Sequence, residues 1–230
     1  MKTTPSPTAR APVRCGALFD WDGVIVDSKA LHQAAWDEVA LELGYPHGPG
    51  DFARHFGTQN WRAISEILRW TRDPAEIERI SLRKEALYRQ RLPGAPDLLV
   101  PGVRAFLAAL AERSVPCAIV SSSPRLNIDV VIDPAGLRSS FVGIVSAEDV
   151  RRGKPDPDAF LLGAARLALP PERCVAFEDA PAGVASGRRA GMRVVALTTT
   201  HPASELGAAH HIVAGWSSEL LERVCGWFAD

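Results

Sequence analysis

Two tyrosines, two methionines and four cysteines are all that this chain of 230 residues has of those types. Cys15, Cys117, Cys174 and Cys225 form no Cys-x-x-Cys pair and have no histidine at ligand spacing, which excludes a zinc ribbon or a dithiol redox motif. They read as small buried hydrophobes of a reducing compartment. No run approaches the roughly 20 apolar residues that a membrane span requires. Nor is there an excess of either charge: 26 Lys+Arg against 27 Asp+Glu leave a net charge of -1. That removes the long-range attraction a nucleic acid or an anionic membrane would need. Met1 to Arg14 is rich in Thr, Pro and Arg and lacks the apolar centre of a secretory signal. It reads as a disordered lead-in (1–14) to a cytoplasmic protein, expected to be a monomer or weak homodimer.

At 47% hydrophobic and 23% charged residues, the composition is that of a globular protein. A chain of this length buries about 70–75% of the surface it exposes unfolded. Short apolar runs alternate with helical patterns, which predicts an α/β fold with a Rossmann-like parallel sheet. The expected strands are Cys15–Phe19, Val115–Val120, Phe141–Ser146, Cys174–Phe177, Arg193–Leu197 and His211–Val213. Between them, Val103, Phe106, Leu107 and Leu110 make one apolar stripe, and Phe160, Ala164 and Leu167 make another. Pro181 opens a helix that Gly191 closes, and Leu220, Leu221, Val224 and Phe228 end the series. From Lys29 to Pro96 the alternation stops. Leu31, Ala35, Val39 and Leu43 form one helical stripe, Ile64, Ile67 and Leu68 a second, and Ile77, Ile80 and Leu87 a third. The pattern predicts a helical insert over 29–96, placed in a core made of 15–28 and 97–230.

Chemistry-bearing residues fall at strand ends, where ligands bind in open α/β sheets. The first strand runs into Asp20-Trp21-Asp22-Gly23-Val24-Ile25-Val26-Asp27-Ser28. Val120 leads into Ser121-Ser122-Ser123-Pro124, a hydroxyl and amides before a helix, which suits an anion. Lys154 sits in the proline-bounded loop Gly153-Lys154-Pro155-Asp156-Pro157, and Glu178-Asp179-Ala180-Pro181-Ala182-Gly183 supplies two more carboxylates. Taken singly, each has a plainer reading as a helix cap, a turn or a solvated side chain.

In this order the four segments resemble the four motifs of the haloacid dehalogenase superfamily. The resemblance spans about Cys15 to Val213 and is closest to the branch with a small helical cap after the first motif, which includes β-phosphoglucomutase and sugar-phosphate phosphatases. It implies that Asp20 is a nucleophile on phosphorus and Asp22 a general acid and base. It implies further that Ser121, the amide of Ser122 and Lys154 hold the phosphate. Mg²⁺ is the implied cofactor, on Asp20, the carbonyl of Asp22, Asp179 and, through water, Glu178. Two like charges about 4 Å apart repel by roughly 4 kcal/mol at an effective dielectric near 20. Three carboxylates and one lysine therefore call for a hard divalent cation. A carboxylic acid at Asp22 favours phosphate esters over dehalogenation or carbon–phosphorus cleavage.

In the cap, the resemblance points to His32, Gly57, Asn60, Arg62 and Lys84 as substrate contacts. The mutase has an arginine three residues after the loop glycine, gripping the distal phosphate of a bisphosphate. Here Gly57 is followed by Thr58, Gln59 and Asn60, with Arg54 or Arg62 as the available substitutes. Trp61 and Trp70 read as cap-core aromatics, with stacking on a sugar or base ring as the alternative. The expected function is a Mg²⁺-dependent phosphatase of a small phosphorylated metabolite, a sugar phosphate first, acting through an aspartyl-phosphate. A β-phosphoglucomutase-like phosphotransferase and a non-catalytic binding protein on the same fold are the alternatives.

Overall fold

The computed structural model describes residues 15–92 and 98–228; the expected lead-in 1–14 and the expected cap boundary at 96–97 lie outside the described residues. Six strands pair in parallel: β1 (Gly16–Phe19), β2 (Cys117–Val120), β3 (Gly143–Val145), β4 (Cys174–Glu178), β5 (Arg193–Leu197) and β6 (His211–Val213). Their order across the sheet is β3-β2-β1-β4-β5-β6. Every strand expected from the sequence is present. The second is shorter than its apolar run because Pro116, which has no N–H to give, precedes it.

β1, β2 and β4 are buried on both faces, which is why they read as unbroken apolar runs. Helices cover each face. Lys29–Leu43 (α1), Asp51–His55 (α2), Asn60–Arg62 (α3) and Pro74–Arg91 (α4) come between β1 and β2, followed by Val103–Glu112 (α5). The later helices are Arg125–Ile132 (α6), Asp158–Arg166 (α7), Pro181–Arg189 (α8) and Ser218–Gly226 (α9). Residues of α5, α6 and α9 pack with Phe19, Ile119, Val175 and Val195 on one face. On the other, residues of α7 and α8 pack with Leu18, Ala118, Ala176 and Val194.

A third apolar cluster gathers Trp36, Val39, Phe52, Phe56, Ile64, Ile80, Leu87 and Tyr88 from the helices between β1 and β2. α1 ends at Gly44, whose φ of 72° is the left-handed conformation that stops a helix. α4 starts with Pro74 at its first turn and Asp73 accepting from the Ala75 amide. The second expected stripe departs from the prediction: α3 passes into a π-helical turn, Ala63–Ile67. This wider turn buries Ala63 and Ile64 and leaves Ile67 and Leu68 only half-buried, because a turn closed by i→i+5 hydrogen bonds no longer keeps all three apolar positions on one face. Among the described residues no helix is long and apolar enough to cross a membrane.

β1 and β4 are neighbours although β2 and β3 lie between them along the chain, so the strand order reverses between them and opens a crevice at their carboxyl ends. The Asp20 amide donates to the Phe177 carbonyl at 2.9 Å, which sets the end of β1 beside Glu178.

Candidate active site

Asp20 and Glu178 sit at adjacent strand ends because Phe19 and Phe177 are in register. Asp179 follows, and the three carboxylates each offer an oxygen within 4.8 Å of the others. All three are buried. Lys154 comes from the loop before α7; its Nζ donates to the Val120 carbonyl at 2.9 Å and lies 3.0 Å from Asp20 Oδ2 and 2.6 Å from Glu178 Oε1. Burial and then Glu178 raise the Asp20 pKa well above the carboxylate range, with Lys154 pulling against them. Burial, Asp20 and Glu178 do the same to Asp179. For Lys154, burial favours the neutral amine, but Asp20 and Glu178 outweigh it and the pKa rises. The ammonium is therefore fixed.

Asp22 belongs to a different set of contacts. Ser28 Oγ donates to its Oδ1 at 2.5 Å, His32 Nε2 lies 3.0 Å from the same oxygen, and Ser123 Oγ donates to Oδ2 at 2.5 Å. Burial would raise its pKa, but His32 and these hydrogen bonds prevail and lower it. His32 stacks on Tyr88 with ring centroids 4.0 Å apart. Its Nδ1 accepts from Lys84 Nζ at 2.8 Å, which leaves the proton on Nε2, facing Asp22. Lys84 also donates to Glu85 Oε1 at 2.9 Å. Asn60 donates to that oxygen at 2.7 Å and Asn127, on α6, to Oε2 at 2.5 Å. One cavity is lined by Asp20, Asp22, His32, Asn60, Lys84 and Ser122, among others.

Residues 16–191 match the haloacid dehalogenase-like hydrolase family. This chain belongs to that family. The chain is 37% identical over 200 residues to the chloroplastic 5-amino-6-(5-phospho-D-ribitylamino)uracil phosphatase of Arabidopsis thaliana, a match to 86% of this chain that spans only about half, 53%, of that longer protein. It is 38% identical over 187 residues to hexitol phosphatase A of Escherichia coli, covering 80% of this chain and 84% of the relative. A β-phosphoglucomutase structure from Clostridium difficile superposes with a TM-score of 0.82 over 92% of this chain and 96% of that one, at 23% identity, a likeness of fold. Family and relatives together make the chain a phosphoric monoester hydrolase.

The oxygen donors of this hydrolase fit the Mg²⁺ that its family uses. Asp20, Glu178 and Asp179 share the single cation Lys154 in a buried space, which opposes the ionisation of Asp20 and Asp179, and Asp179 Oδ1 has no hydrogen-bond partner among the described residues. Thr200 Oγ1 donates to the other oxygen, Oδ2. Gly183 is required here: a Cβ in its place would lie 1.9 Å from the Glu178 carboxyl carbon.

The structure gathers Asp20, Asp22, Lys154, Glu178 and Asp179 at one crevice with Ser121, whose Oγ accepts from the Ser123 amide at 3.0 Å. Ser122, His32, Gly57, Asn60 and Lys84 line the adjoining cavity. Arg62 is not brought in; its Nε pairs with Glu66 at 3.2 Å. Arg54 pairs with Asp51 at 2.9 Å. Trp70 packs into the helical cluster against Trp36 and Tyr45. Sequence reasoning missed Ser123, Thr200, Glu85 and Asn127. The run Thr198-Thr199-Thr200 directly after β5, another strand end on the same crevice, is the signal that points to Thr200. Nothing in the sequence marks Asn127.

Proposed function

We propose that this hydrolase is a Mg²⁺-dependent phosphatase of a small phosphorylated metabolite, a phosphorylated sugar or polyol, working through an aspartyl-phosphate on Asp20, with residues 29–96 as a cap over the crevice. The observation that carries the reading is Lys154 spanning Asp20 and Glu178 beside Asp179. Asp20, Glu178 and Asp179 would hold the metal, which when bound offsets the negative charge of the carboxylates and of the phosphate. Lys154 and the Ser121–Ser123 loop position the phosphate oxygens, as phosphoryl transfer demands.

An Asp20 carboxylate oxygen forms a bond to phosphorus as the ester P–O bond breaks, and the electron pair leaves with the alcohol oxygen. That oxygen takes its proton from His32 Nε2 by way of Asp22 Oδ1, and Lys84 restores the histidine proton at Nδ1. Asp22, now ionised and held so by His32, Ser28 and Ser123, next takes a proton from water as the water oxygen bonds to phosphorus and the Asp20–phosphorus bond breaks. The hydrogen-bonded path from Lys84 through His32 ends on Asp22 Oδ1 and orients it for both steps.

The phosphotransferase alternative needs a cation for a second phosphate. Arg54 and Arg62 are engaged elsewhere, and Asn60, three residues after Gly57, donates to Glu85. The substrates named for the two relatives, a hexitol phosphate and a phosphoribityl-linked uracil, support the substrate class. Asp20→Asn should lower phosphate release from ribitol 5-phosphate by at least about a thousandfold while the fold persists by circular dichroism. Turnover at the wild-type rate in that variant ends the covalent mechanism.

A further inference from the structure

Beyond the phosphate cavity lies a groove that the chemistry above leaves unused. Its lining includes Trp61, Pro74, Ile77 and Pro124, and it shares Asn60 and Ser122 with the reacting cavity, so the two adjoin. Trp61 is a large aromatic left 40% exposed. It is nonetheless fixed: its Nε1 donates to Gln59 Oε1 at 2.8 Å. Gln59 is itself buried and donates from Nε2 to the Ala147 carbonyl at 2.9 Å. Gly153 makes room for it, since a Cβ there would stand 2.5 Å from Gln59 Oε1. An aromatic face held in place and open to solvent loses little conformational freedom when a second ring settles on it. Among the described residues, the only charged side chains in the groove's lining are the carboxylates Glu78 and Glu148. A second phosphate is repelled there, whereas an uncharged ring is not.

We propose that the substrate carries a single phosphate and that its leaving alcohol runs past Asn60 and Ser122 to an uncharged planar ring stacked on Trp61. The inference rests on the phosphatase reading for the position of the phosphate and extends it to the far end of the substrate. Trp61 is a specificity-determining residue in this arrangement, remote from the bonds that change.

Two pairs of esters that differ by a ring test it: ribitol 5-phosphate against riboflavin 5′-phosphate, and ribose 5-phosphate against uridine 5′-monophosphate. In at least one pair, kcat/KM for the ring-bearing ester should exceed that of its partner about tenfold or more, equivalent to about 1.4 kcal/mol, within the range of base–aromatic stacking. Trp61→Ala should bring that ratio to about one, chiefly through KM, while Trp61→Phe keeps it. A ratio near one in both pairs overturns the ring site, and so does an equal loss in Trp61→Ala and Trp61→Phe, which would trace the effect to Gln59. Should the wild type release phosphate from none of the four esters, the phosphatase reading is what fails, and calorimetry on the Asp20→Asn protein decides the ring site separately. Tighter binding of a ring-bearing ester, lost on adding Trp61→Ala, supports it; equal or absent binding overturns it.

Discussion

Asp179 is bound at one oxygen by Thr200 and, among the described residues, has no hydrogen-bond partner at the other, while burial and the charges of Asp20 and Glu178 oppose its ionisation. In metal-free buffer the site is thus a source of strain that a divalent cation relieves. Mg²⁺ at 100 times its dissociation constant should stabilise the protein by about 2.7 kcal/mol. Asp179→Asn should raise the metal-free Tm by about 2–4 °C, the shift expected for about 1 kcal/mol in a chain of this size. It should also abolish the Tm increase on adding Mg²⁺. Differential scanning calorimetry reads both, and a wild-type Tm that ignores millimolar Mg²⁺ would remove the metal from this site. The carboxylates are legible in the sequence because each sits at the end of an apolar run. Their mutual repulsion is not, since it depends on the register that brings Phe19 beside Phe177.

At the level of elements, α4 is tied to α6 through polar atoms. Asn127 donates to Glu85 Oε2 and accepts from Arg89 at 2.7 Å, so two residues of α4 converge on one of α6. Burial would raise the Glu85 pKa, but Lys84, His32 and Asn60 lower it, and the carboxylate is kept ionised inside the protein. Asn127→Ala leaves Glu85 Oε2 buried without a donor, at a cost of about 1–3 kcal/mol. The Tm should fall by several degrees, and kcat should drop as the Lys84–His32–Asp22 path loses its anchor. An unchanged Tm would show that α4 and α6 are not coupled there. The helices themselves follow from periodicity and caps: Asp73-Pro74 starts α4 and Gly44 stops α1. The π-helical turn at Ala63–Ile67 escapes a reading based on a 3.6-residue period, and the α4–α6 link escapes it too, since Glu85 and Asn127 are 42 positions apart.

The stability of the whole molecule depends on a histidine of the helical layer. The pKa of His55 is pushed down from 6.5 to about 3 by burial first, then by His47, Lys84 and Arg54, against Asp51. Because the folded value lies below the unfolded one, the stabilisation from neutral His55 is complete above about pH 6.5 and is lost as the pH falls from there towards about 3. The loss amounts to about 1.4 kcal/mol per pH unit within that window. Between about pH 6.5 and 5, where most carboxylates are still ionised, the Tm of the wild type should fall more steeply than that of His55→Gln; parallel curves would exclude this source of acid sensitivity. Local order along the chain determined the strands, most helices and the identity of the carboxylates, because strand length, apolar period and turn residues are short-range properties. Only the tertiary structure decided that His32, with Lys84 behind it, reaches Asp22, and that Trp61 stays open beside the crevice. Those outcomes come from packing between segments tens of residues apart, where competing partners are settled by distance and burial and leave no local pattern.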